Sequence, residues 1–186
     1  MSKTTTLGVL AAATLAIAMA LTVNTVLVTP AKAITLFKTH GVGASAAWPT
    51  LSLLLVKDNS GTSIIVSTAD GYFGEKSTTA NIFQTTPRLT TAILSPVTVH
   101  VTCITINCVL PPKDLTIQAT WTAFGAPMVS TGVTHIQTRG VEVTSAGPTT
   151  TVFATATGTS NGQDLGQSDP ANTFIFKFAS VAIFTQ

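Results

Sequence analysis

The chain has few charged side chains and almost no arginine. Asp, Glu, Lys and Arg make up 9% of the 186 residues, against about 25% in a typical soluble domain. The only arginines are Arg88 and Arg139. Binding to nucleic acid requires a stripe of basic side chains that contact phosphates. Because this chain cannot assemble such a stripe, we exclude nucleic acid as a partner.

The motifs of common enzymes and cofactor sites are also missing. No HExxH, GxxxxGK or GxGxxG pattern occurs. The histidines His40, His100 and His135 are far apart in sequence, and the only glutamates are Glu75 and Glu142. The candidate acid-base groups of a hydrolase are the three histidines, Glu75 and the aspartates. At least two side chains of this set would need to meet in one pocket. We therefore predict no enzymatic activity and no cofactor.

The longest uncharged run lies at the N terminus. Lys3 precedes a run without charge over residues 7–28, which is the layout of a signal peptide. Its length also suits a membrane-spanning helix. However, Pro30 follows, and residues 31–33 (Ala-Lys-Ala) form the small-x-small pattern that signal peptidase accepts. We predict a helical signal peptide at 1–33 and one extracytoplasmic domain at 34–186, secreted or held at the cell surface.

Two alternatives to cleavage after Ala33 stay open. An uncleaved leader would be a membrane anchor, and it would be the chain's only contact with a membrane. Cleavage after Ala20 would leave the alternating segment LTVNTVLV as a free strand. With residues 1–33 removed, Lys3 and Lys32 are lost, and seven basic residues balance seven acidic ones. The net charge of the predicted mature domain is zero.

Threonine and period-two alternation dominate the rest of the chain. By count, 29 of the 153 residues after Ala33 are Thr, a β-branched residue favoured on strands. Segments 97–103 and 115–123 alternate apolar and polar residues, and Asp58-Asn59-Ser60-Gly61 is typical of a hairpin turn. These patterns predict an all-β fold, an antiparallel sandwich or jelly roll of about 8–10 strands.

Two apolar segments carry more specific predictions. Residues 51–56 (LSLLLV) are apolar on both faces, which predicts a strand covered on both sides. The C-terminal run TFIFKFASVAIFTQ is the most apolar of the domain. It is either a central strand or an edge that a neighbouring molecule could pair with.

The two cysteines are predicted to form a disulfide. Cys103 and Cys108 would lie about 16 Å apart on an extended strand, whereas a disulfide needs Cα atoms about 4.4–6.8 Å apart. Residues 104–107 must therefore fold back as a tight loop. Export favours oxidation, and closing so short a loop contributes about 2 kcal/mol. No further metal ligand lies near this pair in sequence.

Two weaker sites are suggested by single side chains. Trp48, before Pro49, and Tyr72, beside Gly71, are candidates for exposed aromatics that bind a carbohydrate or another ligand, whereas Trp121 alternates with apolar residues and is predicted to be core. Oxygen ligands for calcium could come from the loop SNGQDLGQSD. The candidate ligands in this loop are Asn161, Asp164 and Asp169. The alternative is a solvated loop without metal.

Four segments carry a resemblance to other proteins. They are KTTTLG in the leader, FKTHGVGASAAW from Phe37, and ATATGTSNG with the later FKFASVAI. In these segments the chain resembles a group of uncharacterised small secreted proteins of ammonia-oxidising archaea and of bacteria. The resemblance implies an exported single β-domain. It implies no activity and no site residues.

These observations favour a structural or adhesive role at the cell surface without catalysis. The partners would be further copies of the chain, joined by edge strands, or components of the surface matrix. The alternative is a carbohydrate- or ligand-binding β-sandwich module, which requires Trp48 and Tyr72 to be exposed.

Overall fold

The structure is a computed structural model that describes residues 33–104, 110–138 and 141–185. The predicted signal peptide lies outside these residues, except for its last one. No helix within the described ranges is long and apolar enough to cross a membrane.

The fold is all-β, as the alternation predicts. The described residues form twelve strands and one 3₁₀ turn, at Pro170–Asn172. The count exceeds the predicted 8–10 because several strands have only three to five residues, too few for alternation to be visible. The strands are β1 (Ala33–Ala47), β2 (Leu51–Asp58), β3 (Gly61–Thr68), β4 (Tyr72–Thr78), β5 (Phe83–Thr85), β6 (Thr91–Cys103), β7 (Lys113–Ala123), β8 (Met128–Ser130), β9 (Thr134–Thr138), β10 (Val141–Ser160), β11 (Gln163–Gln167) and β12 (Phe174–Thr185).

The strands pair antiparallel, and the pairings return to their starting point. The longest strand, β10, pairs with β12 along its first part and with β7 along its last part. From β12 the ladders continue through β1, β2, β3 and β4 to β6, and β6 pairs with β7. Eight strands thus form a closed ring of ladders. Of the four short strands, β8, β9 and β11 pair with β10, and β5 pairs with β6.

The main core is built from buried side chains of all eight strands of the ring. Trp121 is fully buried in it, as predicted. Its indole Nε1 donates to the carbonyl of Ser45 at 2.9 Å, and its ring meets Phe83 edge-on with centroids 6.4 Å apart. One tryptophan on β7 therefore contacts both β1 and β5.

The strand β2 is covered on both faces, which confirms the prediction for residues 51–56. Leu53 and Leu55 belong to the main core, while Leu54 and Val56 belong to a second buried cluster on the opposite face. The predicted turn is also confirmed, since Asp58 pairs with Gly61 where β2 turns into β3.

The apolar C-terminal run forms β12, and it is a central strand. It lies between β1 and β10, with a ladder on each side. The alternative of an open C-terminal edge strand is therefore wrong for this segment. Phe174, Phe176 and Phe178 line one face of β12 with neighbouring ring centroids 5.7–5.8 Å apart.

The strands on both sides of β12 are irregular near its middle, and the second cluster extends past this point. His40 on β1 has φ 51°, Gly147 on β10 has φ 83°, and the register of β10 with β12 shifts beside Gly147. Such bulges bend strands. Beyond the bend, Val181 and Ile183 of β12 join the cluster that contains Leu54, Val56 and the phenylalanines.

Candidate interaction surface

The strand β8 is an edge of the sheet. Its residues Met128, Val129 and Ser130 pair with Thr151, Thr150 and Thr149 of β10. Among the described strands, none pairs with β8 on its other side. An edge strand presents backbone N–H and C=O groups to which another chain can pair.

Exposed apolar side chains surround this edge. Val129 and Val133 are 70% and 71% exposed, and Phe124, Met128 and Phe153 are 47%, 49% and 38% exposed. Phe124 and Phe153 stack with centroids 6.4 Å apart and ring planes within 20° of parallel. We call these five residues the β8 edge patch.

The local sequence explains how the patch is positioned. The Phe124 amide donates to the carbonyl of Phe153 at 2.8 Å, which continues the pairing of β7 with β10. Gly125 then takes φ 79°, a conformation that glycine adopts without strain. Pro127 follows, and the chain enters β8 along the same strand β10. The stacked phenylalanines therefore lie next to the edge strand.

The patch is also uncharged. Residues 115–138 contain no Asp, Glu, Lys or Arg, and neither do residues 143–163, which include the part of β10 that pairs with β8. Soluble proteins usually protect edge strands with charged side chains, prolines or bulges.

The predicted exposure of Trp48 and Tyr72 is wrong. They are only 2% and 4% exposed. Trp48 caps the main core at the turn between β1 and β2, and its Nε1 donates to the carbonyl of Gly166 at 3.1 Å. Tyr72 begins β4 and donates its hydroxyl to the carbonyl of Pro111 at 3.2 Å. Neither ring can present a face to a sugar in this conformation.

The glycines near Tyr72 were the misleading signal. They suggested an exposed loop, but Gly74 lies within β4, where a Cβ atom would stand 2.3 Å from the carbonyl oxygen of His100. The glycine therefore marks a close approach of β4 to β6. Lys113 then covers the Tyr72 ring, with its Nζ 3.8 Å from the centroid.

The predicted disulfide cannot be assigned, because Cys108 lies outside the described residues. Cys103 is half-buried, ends β6 and pairs with Tyr72 of β4. None of the cysteines in the described ranges is free. The bond between Cys103 and Cys108 stays a prediction.

The three calcium candidates each accept a hydrogen bond from a backbone amide. Asn161 accepts from the Thr116 amide at 2.8 Å, and Asp164 accepts from the Gly166 amide at 2.9 Å. Asp169 accepts from the Ala171 amide at 3.0 Å at the start of the 3₁₀ turn. Across the described ranges, no three His, Cys, Asp or Glu side chains come together as a metal site.

Among the acid-base candidates, His40 and Asp58 line one cleft, and Asp70 and Asp164 line another. His100 and Asp114 form an exposed cross-strand pair on β6 and β7, with Nδ1 and Oδ1 2.8 Å apart. Glu75 lies on β4, where partial burial raises its carboxyl pKa. His40 lies at the bend of β1, and the side chain of His135 is not described.

A polar cleft of about 450 Å³ opens beside the bend, between β1, β2, β5 and β12. His40, Lys57 and Lys177 contribute positive or titratable groups to its wall, and Asp58 contributes a carboxylate. The ammonium of Lys57 donates to Asn81 Oδ1 at 2.6 Å and to the carbonyl of Phe83 at 2.8 Å. Such a cleft could hold a small polar or anionic ligand.

Sequence reasoning missed the β8 edge patch. The available signal was the absence of charge over residues 115–138 together with Phe124, Met128, Val129 and Val133. The resemblance to secreted archaeal and bacterial proteins stays a prediction. Comparison of the chain with protein-family models, curated proteins and solved structures finds no match.

Proposed function

We propose that this chain is an exported structural or adhesive protein without catalytic activity, which self-associates through an open strand edge at the cell surface. Its domain would be an antiparallel β-sandwich, with β1–β4 facing β6–β7 across the main core. The observation that carries the proposal is the β8 edge patch. The edge strand is uncharged, two of the five exposed apolar side chains belong to it, and the other three lie in neighbouring segments. A strand from another molecule can pair with such an edge.

The amino-acid composition supports the same proposal. A domain with few charges and zero predicted net charge has little electrostatic repulsion between copies. Threonine-rich exposed faces are polar without being charged, so association can be directed by the apolar edge. Burial of apolar area at that edge supplies the favourable free energy.

Sedimentation velocity of the exported protein over a wide concentration range tests this function. The protein is purified from the medium or envelope of an expression host, and its N terminus is read by mass spectrometry. We expect the weight-average sedimentation coefficient to rise with concentration. A protein that stays a single chain at its solubility limit would contradict the proposal.

The polar cleft favours a second candidate, a ligand-binding module. Unlike the predicted aromatic site, it is open to solvent, and it offers the amide groups of Asn59 and Gln84 beside Lys177. A glycan array and isothermal titration with acidic and neutral oligosaccharides would test it. Binding that Lys177→Gln weakens, but Lys76→Gln does not, would support this candidate.

A further inference from the structure

Two lysines border the polar cleft from either side of one valine. Lys177 of β12 pairs with Val42 of β1, and Val42 pairs in turn with Lys57 of β2. Side chains at directly paired positions of antiparallel strands lie on the same face of the sheet. Both lysines therefore stand on the face that carries Val42, and two strand spacings place their Cα atoms about 10 Å apart.

The two ammonium groups differ in how they are held. Lys57 Nζ is fixed by its hydrogen bonds to Asn81 and to the carbonyl of Phe83. Lys177 is exposed, and its ammonium has no hydrogen-bond acceptor among the described residues. Each of the other described lysines has at least one acceptor: Lys38, Lys57, Lys76 and Lys113. All three donors of the Lys177 ammonium are therefore available to a ligand.

The carboxylate in the cleft wall does not cancel this positive charge. Asp58 Oδ1 accepts from Lys38 Nζ at 2.8 Å, so these two opposite charges neutralise each other. His40 adds no negative charge in either protonation state. Lys57 and Lys177 therefore leave the cleft with an excess of positive charge, which suits an anionic ligand.

The uncharged part of the wall indicates a ligand larger than an inorganic ion. The side-chain amides of Asn59 and Gln84 and the hydroxyl of Thr85 line the cleft. Amides and hydroxyls both donate and accept hydrogen bonds, as the hydroxyl groups of a sugar do. The cleft volume of about 450 Å³ lies within the range of about 300–1,000 Å³ that is usual for pockets holding small organic ligands.

Resting on the ligand-binding candidate above, we propose that this cleft binds an acidic sugar, with the sugar carboxylate between Lys57 and Lys177. The sugar hydroxyls are bound by the amides of Asn59 and Gln84. A hydrogen bond between an ammonium and a carboxylate is about twice as strong as one between neutral groups. The carboxylate therefore supplies most of the affinity, and the amides select a ligand with hydroxyl groups.

Titration calorimetry with trigalacturonic acid and with its methyl ester tests the role of the carboxylate. The ester keeps the sugar hydroxyls and removes the charge. We expect the acid to bind the exported protein about tenfold more tightly than the ester, which corresponds to the loss of one charged hydrogen bond. Sodium phosphate is the third probe, and it should bind more weakly than the acid because it cannot fill the cleft.

A matched pair of lysine variants tests the location of the site. Lys177→Gln removes the unpaired ammonium, and the fold is kept because this side chain is exposed. We expect it to bind trigalacturonic acid about tenfold more weakly and the methyl ester unchanged. Lys76→Gln is the control, since Lys76 is an exposed lysine of β4 outside the cleft. The control should bind both sugars as the wild type does.

The outcomes separate this inference from the proposed function. Failure of all three probes to bind overturns both the acidic-sugar site and the ligand-binding candidate, whereas self-association is tested separately by sedimentation. Equal affinity for acid and ester, or an unchanged Lys177→Gln protein, overturns the acidic-sugar site alone. Phosphate that binds as tightly as the trisaccharide shows a site for inorganic anions and overturns the sugar. Weaker binding of the acid alone in Lys177→Gln supports the inference.

Discussion

Lys38 is the most deeply buried charged side chain described, at 4% exposure, and it binds the turn between β2 and β3. Its Nζ donates to Asp58 Oδ1 at 2.8 Å, to Ser60 Oγ at 3.0 Å and to the carbonyl of Gly61 at 3.0 Å. Burial alone would raise the pKa of Asp58, but the hydrogen bonds from Lys38 and Ser60 lower it to about 2. This contact attaches β1 to the turn between β2 and β3.

Replacing Lys38 should cost far more stability than replacing an exposed lysine. Lys38→Met leaves the Asp58 carboxylate buried without its main partner, and we expect a loss of about 3 kcal/mol in the free energy of unfolding. Lys113→Met, which breaks the exposed pair with Asp70, should cost less than about 1 kcal/mol. Urea unfolding at neutral pH measures both, and equal losses would show that the Lys38 contact is no stronger than a surface pair.

The same contact predicts an acid-sensitive component of stability. Because the folded-state pKa of Asp58 is lowered from 3.8 to about 2, its contribution is complete above pH 4 and disappears as the pH falls toward 2. The shift corresponds to about 2 kcal/mol. Asp58→Asn should remove this component. The difference in the free energy of unfolding between wild type and variant should therefore become smaller as the pH falls from 4 to 2. A constant difference would contradict the assignment.

At the scale of single elements, the glycines of β1 explain how two aromatic residues of β12 are accommodated. A Cβ atom on Gly43 would stand 2.3 Å from the Phe176 ring and 2.5 Å from the carbonyl oxygen of Leu55. Gly41 has the same relation to Phe178, at 2.6 Å. The rings of β12 therefore extend over the bare backbone of β1.

Adding one methyl group at Gly43 should disrupt this packing. We expect Gly43→Ala to lower the free energy of unfolding by roughly 2–3 kcal/mol, because the backbone of β2 cannot withdraw. Gly132→Ala is the matched control, since no atom lies within 4 Å of its Cβ position. Thermal unfolding followed by circular dichroism compares the two. A Gly43→Ala protein as stable as the control would mean that the rings can move aside.

The elements that sequence could predict are those with long alternation. The segments 97–103 and 115–123 lie in β6 and β7, and the doubly apolar 51–56 is a doubly covered strand. The strand β8 could not be predicted, because three residues carry no periodicity. Trp48 was misplaced because its burial depends on Gly166, which is 118 residues away in sequence. A contact between residues so far apart in sequence depends on how the strands pair, and local alternation does not reveal it.

For the whole molecule, the zero net charge of the predicted mature domain depends on where the leader is cleaved. The full chain has nine basic and seven acidic residues. Cleavage after Ala33 removes Lys3 and Lys32 and gives a formal charge of zero, cleavage after Ala20 gives +1, and an uncleaved chain keeps +2. The charge also affects assembly, because net charge of one sign opposes the approach of identical copies.

We expect the exported protein to begin at Ile34 and to focus at a lower pH than the unprocessed chain, whose sequence pI is about 8.7. Intact mass spectrometry identifies the N terminus, and isoelectric focusing of the same sample measures the charge. Replacing Ala31 and Ala33 with Leu should block cleavage and retain the +2 form, whereas replacing Ala18 and Ala20 should change nothing. An N terminus at Leu21 would contradict this site and would add LTVNTVLV to the exported chain. That segment could then compete with a second copy for the β8 edge.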